Sequence, residues 1–256
     1  NIFLYTGFFA VVAVYLWTMF ERRMNRHTKP AGLVAFVWRL VLTTGTGSIF
    51  GFLVAREPYN SALLAPMFII MSFSFGLAIF VLVLMAACKW TDRALGDVVL
   101  NRLRSLLGVF VAAVLYFVAI HHLTNLYIAR QHDVERFFLW EGGIYPALFW
   151  LGQVLVGGVL PLALLFATTS RRALAAAAVC VILGGLVQLY VLVIGGQAYP
   201  QLMFPEKEVS SSFFDGVVAS YVPSLPEIAL GLGGVGLALA LTVVGLKLLP
   251  FLPTEA

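Results

Sequence analysis

Charge is what this chain has least of. Only 11% of its 256 residues are Asp, Glu, Lys or Arg, while 61% are hydrophobic. A soluble domain carries about 25% charged residues, so a water-soluble globule is excluded and the chain needs lipid as its solvent. Cysteine is nearly missing as well. Cys88 and Cys180 are the two present, far apart and in apolar surroundings. They cannot build a four-cysteine metal site or hold an iron–sulfur cluster by themselves, and read as small buried hydrophobes. The net charge of +4 is small and scattered. No basic stripe with interleaved aromatics is present, which argues against a nucleic-acid partner. There is no nucleotide-binding glycine loop. The glycine pairs at 157–158, 184–185, 195–196 and 233–234 sit in or beside apolar runs, where they permit close helix packing. The chain begins at Asn1, inside an apolar run, with no charged segment before it. This is unlike an intact signal peptide, and the expectation is that upstream sequence is missing.

What is abundant is long apolar sequence. Seven stretches reach the length of about 20 residues that a bilayer core requires: Ile2–Phe20, Leu33–Ala55, Leu63–Ala87, Leu107–Tyr127, Tyr145–Ala167, Ala173–Gly195 and Ile228–Leu249. In lipid every backbone polar group must be satisfied internally, and a helix does so within one segment. The predicted fold is therefore an all-α integral membrane protein of seven transmembrane helices. The loops alternate in charge. Arg22, Arg23, Arg26 and Lys29 follow the first span, Lys89, Arg93, Arg102 and Arg104 the third, and Arg171 and Arg172 the fifth, with Lys247 ending the seventh. The loops between these are mixed or acidic. The excess of Lys and Arg assigns the basic set to the cytoplasm, with Asn1 outside and Ala256 inside. The last outer loop, roughly Gln197 to Pro226, contains Pro200, Pro205, Pro223 and Pro226 and is not one continuous helix. Ser210, Ser211, Ser212 and Asp215 predict a cap and a short interfacial helix there.

Polar side chains inside spans are expensive and therefore candidate functional groups. The second span has Arg39, Thr43, Thr44, Thr46 and Ser48, of which Arg39, Thr43 and Thr46 share a face. The alternative is structural: hydroxyls that bond back to their own helix, and an Arg39 that snorkels to the surface. The fourth span ends in His121, His122, Thr124, Asn125 and Tyr127, with His121 and Asn125 one turn apart. Histidine exchanges protons near neutral pH and can hydrogen-bond a quinone carbonyl, although an interfacial His pair at the water boundary is the plainer reading. No other span contains His, so two facing axial ligands for a haem are not expected. Gln153 and Gln188 are deep amides, suited to a proton path through water or to clamping two helices. Glu57 and Glu141 stand at span ends, as solvated carboxylates or as the ends of a proton path.

Three stretches together resemble one family, that of the NrfD/polysulfide reductase membrane subunits, which includes the b-type membrane subunits of some hydrogenases. The first runs from Thr44-Gly45 through Ala55-Arg56-Glu57 into Ala65-Pro66-Met67-Phe68, then Ser72 and Gly76. The second is Gly143-Ile144-Tyr145 with Phe149-Trp150, Gly152, Gly157 and Pro161. The third is Tyr221-Val222-Pro223-Ser224-Leu225-Pro226-Glu227-Ile228, ending in Leu249-Pro250. The resemblance implies a membrane anchor of a respiratory oxidoreductase in a prokaryotic inner membrane. It implies exchange with a quinone, menaquinone or ubiquinone, no haem or iron–sulfur cluster in this chain, and proton conduction as an added capacity. The implied partners are an iron–sulfur subunit, a catalytic redox subunit and other membrane subunits.

The resemblance also implies two four-helix bundles. On that pattern residues 1–30 are the last helix of a first bundle and a basic loop. Residues 31–197 are one four-helix bundle plus a further helix, 198–227 an extracytoplasmic loop and 228–256 a final transmembrane helix. His121, His122, Asn125 and Tyr127 are then candidates for quinone binding. Arg39, Thr43, Thr46, Ser48, Glu57, Glu141, Gln153 and Gln188 are candidates for a proton path, with no catalytic or metal-binding residue. In relatives the first bundle usually holds the quinone, so a proton-conducting or supporting role for the bundle present fits the residues equally. A transporter or channel and a seven-helix receptor are the other readings. The receptor reading lacks a mid-membrane lysine in the last helix, since Lys247 is at its end.

Overall fold

A computed structural model describes residues 2–201 and 216–248. Its principal elements are seven helices long and apolar enough to cross a membrane, which makes the chain a multi-pass membrane protein. They are α1 (Ile2–Phe20), α2 (Thr28–Gly51), α3 (Leu64–Trp90) and α4 (Asp97–Tyr127), then α5 (Tyr145–Ala167), α6 (Arg171–Ala198) and α7 (Leu225–Leu248). The helix α4 begins ten residues before the apolar stretch that announces it. Leu100, Leu103 and Leu107 carry a helical apolar face through the charged segment, and Leu100 and Leu107 are buried. The helix α2 ends at Gly51, earlier than the apolar pattern suggests. There the chain turns so tightly that a Cβ on Gly51 would stand 2.7 Å from the Ser61 carbonyl oxygen.

The described residues form two compact units. The first contains the residues up to Ser74 together with Ala112–Arg136. In it α1 and α2 form a hairpin through a 3-10 turn, Arg22–His27. The Trp38 indole lies against Gly7, where any side chain would collide with it, and its Nε1 donates to the Leu4 carbonyl at 3.0 Å. At the other end of the hairpin Thr28 Oγ1 donates to the Thr18 carbonyl at 3.1 Å. Trp38→Phe removes that bond and the outer indole atoms that lie against Gly7. It is expected to cost about 2 kcal/mol, read as a lowered unfolding midpoint in detergent micelles. The α2–α3 connection folds inward through Tyr59, which is buried and has its ring 5.2 Å from Phe50.

The second unit contains Phe75–Val111 and the described residues from Phe137 on. Its core joins Ala78 and Val81 of α3, Leu107 and Val111 of α4, Leu165 of α5, and Leu174, Ala177, Ala178 and Val181 of α6. The α5 and α6 backbones touch at Gly157 and Gly184. Small residues at a crossing let dispersion and backbone contact hold helices that lipid gives no hydrophobic reason to associate. Parts of both helices wind with π geometry, Leu148–Val159 in α5 and Val191–Gly195 in α6. Pro161 has no N–H to give the helix, and it follows the glycines at 152, 157 and 158, so α5 changes its winding where regular winding is least supported.

The helix α7 is capped by its own motif: the Glu227 carboxylate accepts from Ser224 N at 2.7 Å and from Tyr221 OH at 3.2 Å. This is the reach-back of a capping box, and it accounts for the Tyr-Val-Pro-Ser-Leu-Pro-Glu sequence on local grounds. The cap and short helix predicted at Ser210, Ser211, Ser212 and Asp215 lie outside the described residues, as do Leu249 and Pro250.

Candidate functional site

A polar cluster is buried in the first unit at the end of α4. His121 and Asn125 are one turn apart, and His122 and Asn125 are three residues apart, so helix geometry brings all three to neighbouring positions. After α4 a 3-10 turn, Ala129–Gln131, reverses the chain into a short helix, His132–Arg136. The turn is held by His132 Nε2, 2.7 Å from the Leu126 carbonyl. It returns Glu135 to His122 and Asn125 of α4.

Glu135 is 1% exposed. One carboxylate oxygen, Oε2, lies 2.6 Å from His122 Nδ1, and the other, Oε1, accepts from Asn125 Nδ2 at 2.8 Å. A carboxylate buried without such partners would carry a desolvation penalty of several kcal/mol. Here both oxygens are used. The carboxylate also orients the Asn125 amide, because the amide nitrogen and not its oxygen must face it. The same nitrogen is 3.4 Å from His121 Nε2. With Asn125 as donor, Nε2 is the acceptor of a neutral His121 ring and Nδ1 carries the proton. That Nδ1–H is buried and has no hydrogen-bond partner among the described residues. Buried donors are nearly always satisfied, so this one calls for an acceptor, which an ordered water or a ligand oxygen supplies equally.

The outer frame is also polar. Arg130 Nε donates to Glu57 Oε1 at 3.0 Å, and Gln131 Nε2 donates to the Glu57 carbonyl at 3.2 Å. Glu57 thus ties the α2–α3 connection to the turn beside the cluster. Tyr127, a sequence candidate for the same site, is 90% exposed and stands apart from it.

The remaining sequence candidates are dispersed. Thr43 and Thr46 donate to the carbonyls of Arg39 and Leu42, four residues back in α2, at 2.9 and 3.0 Å. Arg39 is exposed, with its guanidinium 5.7 Å from the Phe8 ring centroid. Ser48 is half-buried and Glu141 exposed. Gln153 and Gln188 are both buried in the second unit, and Gln188 Nε2 has no partner among the described residues. Among the described residues, no three His, Cys, Asp or Glu side chains gather as a metal ion would need.

Glu135 is the residue the sequence did not single out. It stands among Arg130, Asp133, Arg136 and Glu141, a mixed run that reads as a solvated loop. The available signal was weak: a five-residue amphipathic turn that leads directly into the apolar Phe137-Phe138-Leu139.

Comparison with known proteins agrees with the architecture. The family described as "Polysulphide reductase, NrfD" matches residues 1–201. The Hdr-like menaquinol oxidoreductase integral membrane subunit of Archaeoglobus fulgidus is 29% identical over 262 residues, covering 100% of this chain and 66% of that protein. A selenate reductase subunit of Mesobacillus selenatarsenatis is 27% identical over 231 residues, covering 90% of this chain and 53% of its own length. The chain therefore spans between about half and two thirds of the length of these relatives. No solved structure matches it significantly.

Proposed function

Since the chain belongs to the NrfD polysulphide reductase family, we propose that it is a quinone-interacting membrane subunit of a respiratory oxidoreductase complex, working with an iron–sulfur partner and a catalytic redox subunit. The observation that carries this reading is the buried, unpartnered His121 Nδ1–H in a cluster where Asn125 links the same ring to the buried Glu135 carboxylate. A quinone carbonyl takes the first as its hydrogen-bond donor, and a quinol hydroxyl needs a base of the second kind. Menaquinol is the favoured substrate class, because the archaeal relative carries that word in its name.

In this mechanism His121 orients the quinone ring through one carbonyl or hydroxyl oxygen. Two electrons leave the quinol singly for the iron–sulfur partner, and two protons leave with them. The Glu135–His122 pair accepts the first proton, His122, with a side chain 18% exposed, passes it toward the membrane surface, and the emptied pair then accepts the second, one proton with each electron. Proton conduction, as an added capacity, is proposed for the buried amides Gln153 and Gln188 within the second unit, with Glu57 and Glu141 as the carboxylates at span ends. The Thr43 and Thr46 hydroxyls use their own protons within α2, which leaves them as acceptors on the face they share with Arg39, and Ser48 is the further candidate of that helix. Asn1 lies outside the cytoplasmic membrane and Ala256 inside. Residues 31–197 act as a bundle with one added helix, and 198–227 as the extracytoplasmic loop.

The test is quinol oxidation by the intact complex. His121→Leu is expected to lower kcat/KM at least tenfold, a loss of about 1.4 kcal/mol of transition-state stabilisation. Transfer from an artificial donor directly to the iron–sulfur partner should stay unchanged. Unaltered quinol kinetics in this variant would move the quinone elsewhere. If the purified complex has no quinone-dependent activity and no iron–sulfur partner, the whole reading fails.

A further inference from the structure

Apart from the His121 cluster, the second unit has an open face on α4 that nothing so far uses. It is formed by Val98, Asn101, Arg102, Ser105, Leu106 and Val109. These residues fall at i, i+3, i+4, i+7, i+8 and i+11, so they share a single helix face. The face has two chemical ends. Asn101, Arg102 and Ser105 form a polar patch within little more than one turn. Leu106 and Val109 continue the face as exposed apolar surface, 44% and 61% accessible. Arg102 is exposed and makes no ion pair among the described residues. Asn101 is held from behind: the buried Arg104 donates through Nη1 to Asn101 Oδ1 at 3.1 Å and through Nη2 to the Ser170 carbonyl at 3.1 Å. This leaves the Asn101 amide nitrogen with its two donor protons. Arg104 itself has no carboxylate partner, and its Nε has no hydrogen-bond partner among the described residues. The one nearby acid with a defined partner, Asp97, is taken by Arg171 at 2.7 Å.

We propose that this α4 face binds one anionic phospholipid, its phosphodiester on Arg102, Asn101 and Ser105 and an acyl chain along Leu106 and Val109. Charge complementarity selects the occupant. The face offers a cation and neutral donors at one end, an uncompensated buried guanidinium behind them, and apolar side chains at the other end. An anionic amphiphile matches all of these in one molecule. From Arg102 to Val109 the helix rises about 10 Å, which sets the polar end at headgroup level when the apolar end lies in the hydrocarbon. A single Lys or Arg near an anionic membrane surface contributes about 1 kcal/mol of attraction to such headgroups. A zwitterionic lipid brings the same phosphate with a compensating cation and gains less from Arg102. A helix of another protein would need an acidic residue at the level of Arg102. The assignment does not depend on the quinone reading.

Native mass spectrometry of the full-length protein in detergent tests it, with phosphatidylglycerol and phosphatidylcholine of identical acyl chains as probes. Phosphatidylglycerol is expected to bind about fivefold more tightly, the worth of one arginine near a charged surface. Arg102→Gln should reduce that preference to none, whereas Arg23→Gln, an exposed arginine after α1, should leave it intact. Inorganic phosphate at millimolar concentration should not displace the lipid. In the intact complex, a photo-crosslinker on Leu106→Cys should label lipid. Equal affinity for the two lipids, a preference that survives Arg102→Gln, displacement by free phosphate, or crosslinking to a polypeptide would each overturn the proposal.

Discussion

Glu135→Leu is expected to destabilise the first unit by about 3 kcal/mol. The leucine fills a similar volume but leaves His122 Nδ1 and Asn125 Nδ2, bonded to Glu135 at 2.6 and 2.8 Å, without their common acceptor. Each buried polar group left unsatisfied costs about 1–3 kcal/mol. Glu135→Gln keeps one oxygen and loses the charge, so a smaller loss of about 1 kcal/mol is expected. Removing all the partners together reverses the logic. A cluster replaced as a whole by apolar side chains is often no less stable than the original. The triple variant with leucine at 122, 125 and 135 should therefore recover most of the stability lost by the single one, while remaining inactive toward quinol. Unfolding in mixed micelles, followed by tryptophan fluorescence, reads both quantities. If Glu135→Leu unfolds at the wild-type midpoint, the carboxylate is not held by those two donors.

Gly184→Ala is expected to have an effect of the same size in the second unit. A Cβ on Gly184 would overlap the Gly157 Cα and approach the Gly157 nitrogen to 2.6 Å. The obstacle is backbone on both sides, so no side chain can rotate away and α5 and α6 must separate. The cost is about 3 kcal/mol, at the upper end for overpacking. Gly234→Ala in α7 is the control, since nothing stands within 4 Å of a Cβ there. Alanine is the better helix former by about 1 kcal/mol, so this variant should be no less stable than the wild type. Similar midpoints for the two alanine variants would contradict the close crossing.

These two sites differ in how visible they are in the sequence. The glycine pairs at 157–158 and 184–185 are conspicuous within apolar runs, and close packing follows from the missing side chains. That Gly157 and Gly184 meet each other is not written in either run. Glu135 is the opposite case, a charged residue among charged residues. Its burial depends on a turn held by His132 and on donors ten and thirteen residues away. The His121–Asn125 pair was legible because one turn of helix is a local distance. Tyr127 belongs to the same polar run, yet two residues after Asn125 is nearly the opposite side of a helix, and its ring is turned away from the cluster.

Membrane character, the seven helices and the polar end of α4 follow from composition and periodicity. Lipid punishes every unpaired backbone group, and that penalty acts on each segment separately. Family membership followed in the same way, from short motifs that survive in one dimension. The buried Glu135, the unpartnered His121 Nδ1–H and the contact between Gly157 and Gly184 arise when segments remote in sequence pack together. Hydrogen bonds and backbone contacts depend on distances of a few ångströms, and those distances are set by the folded chain.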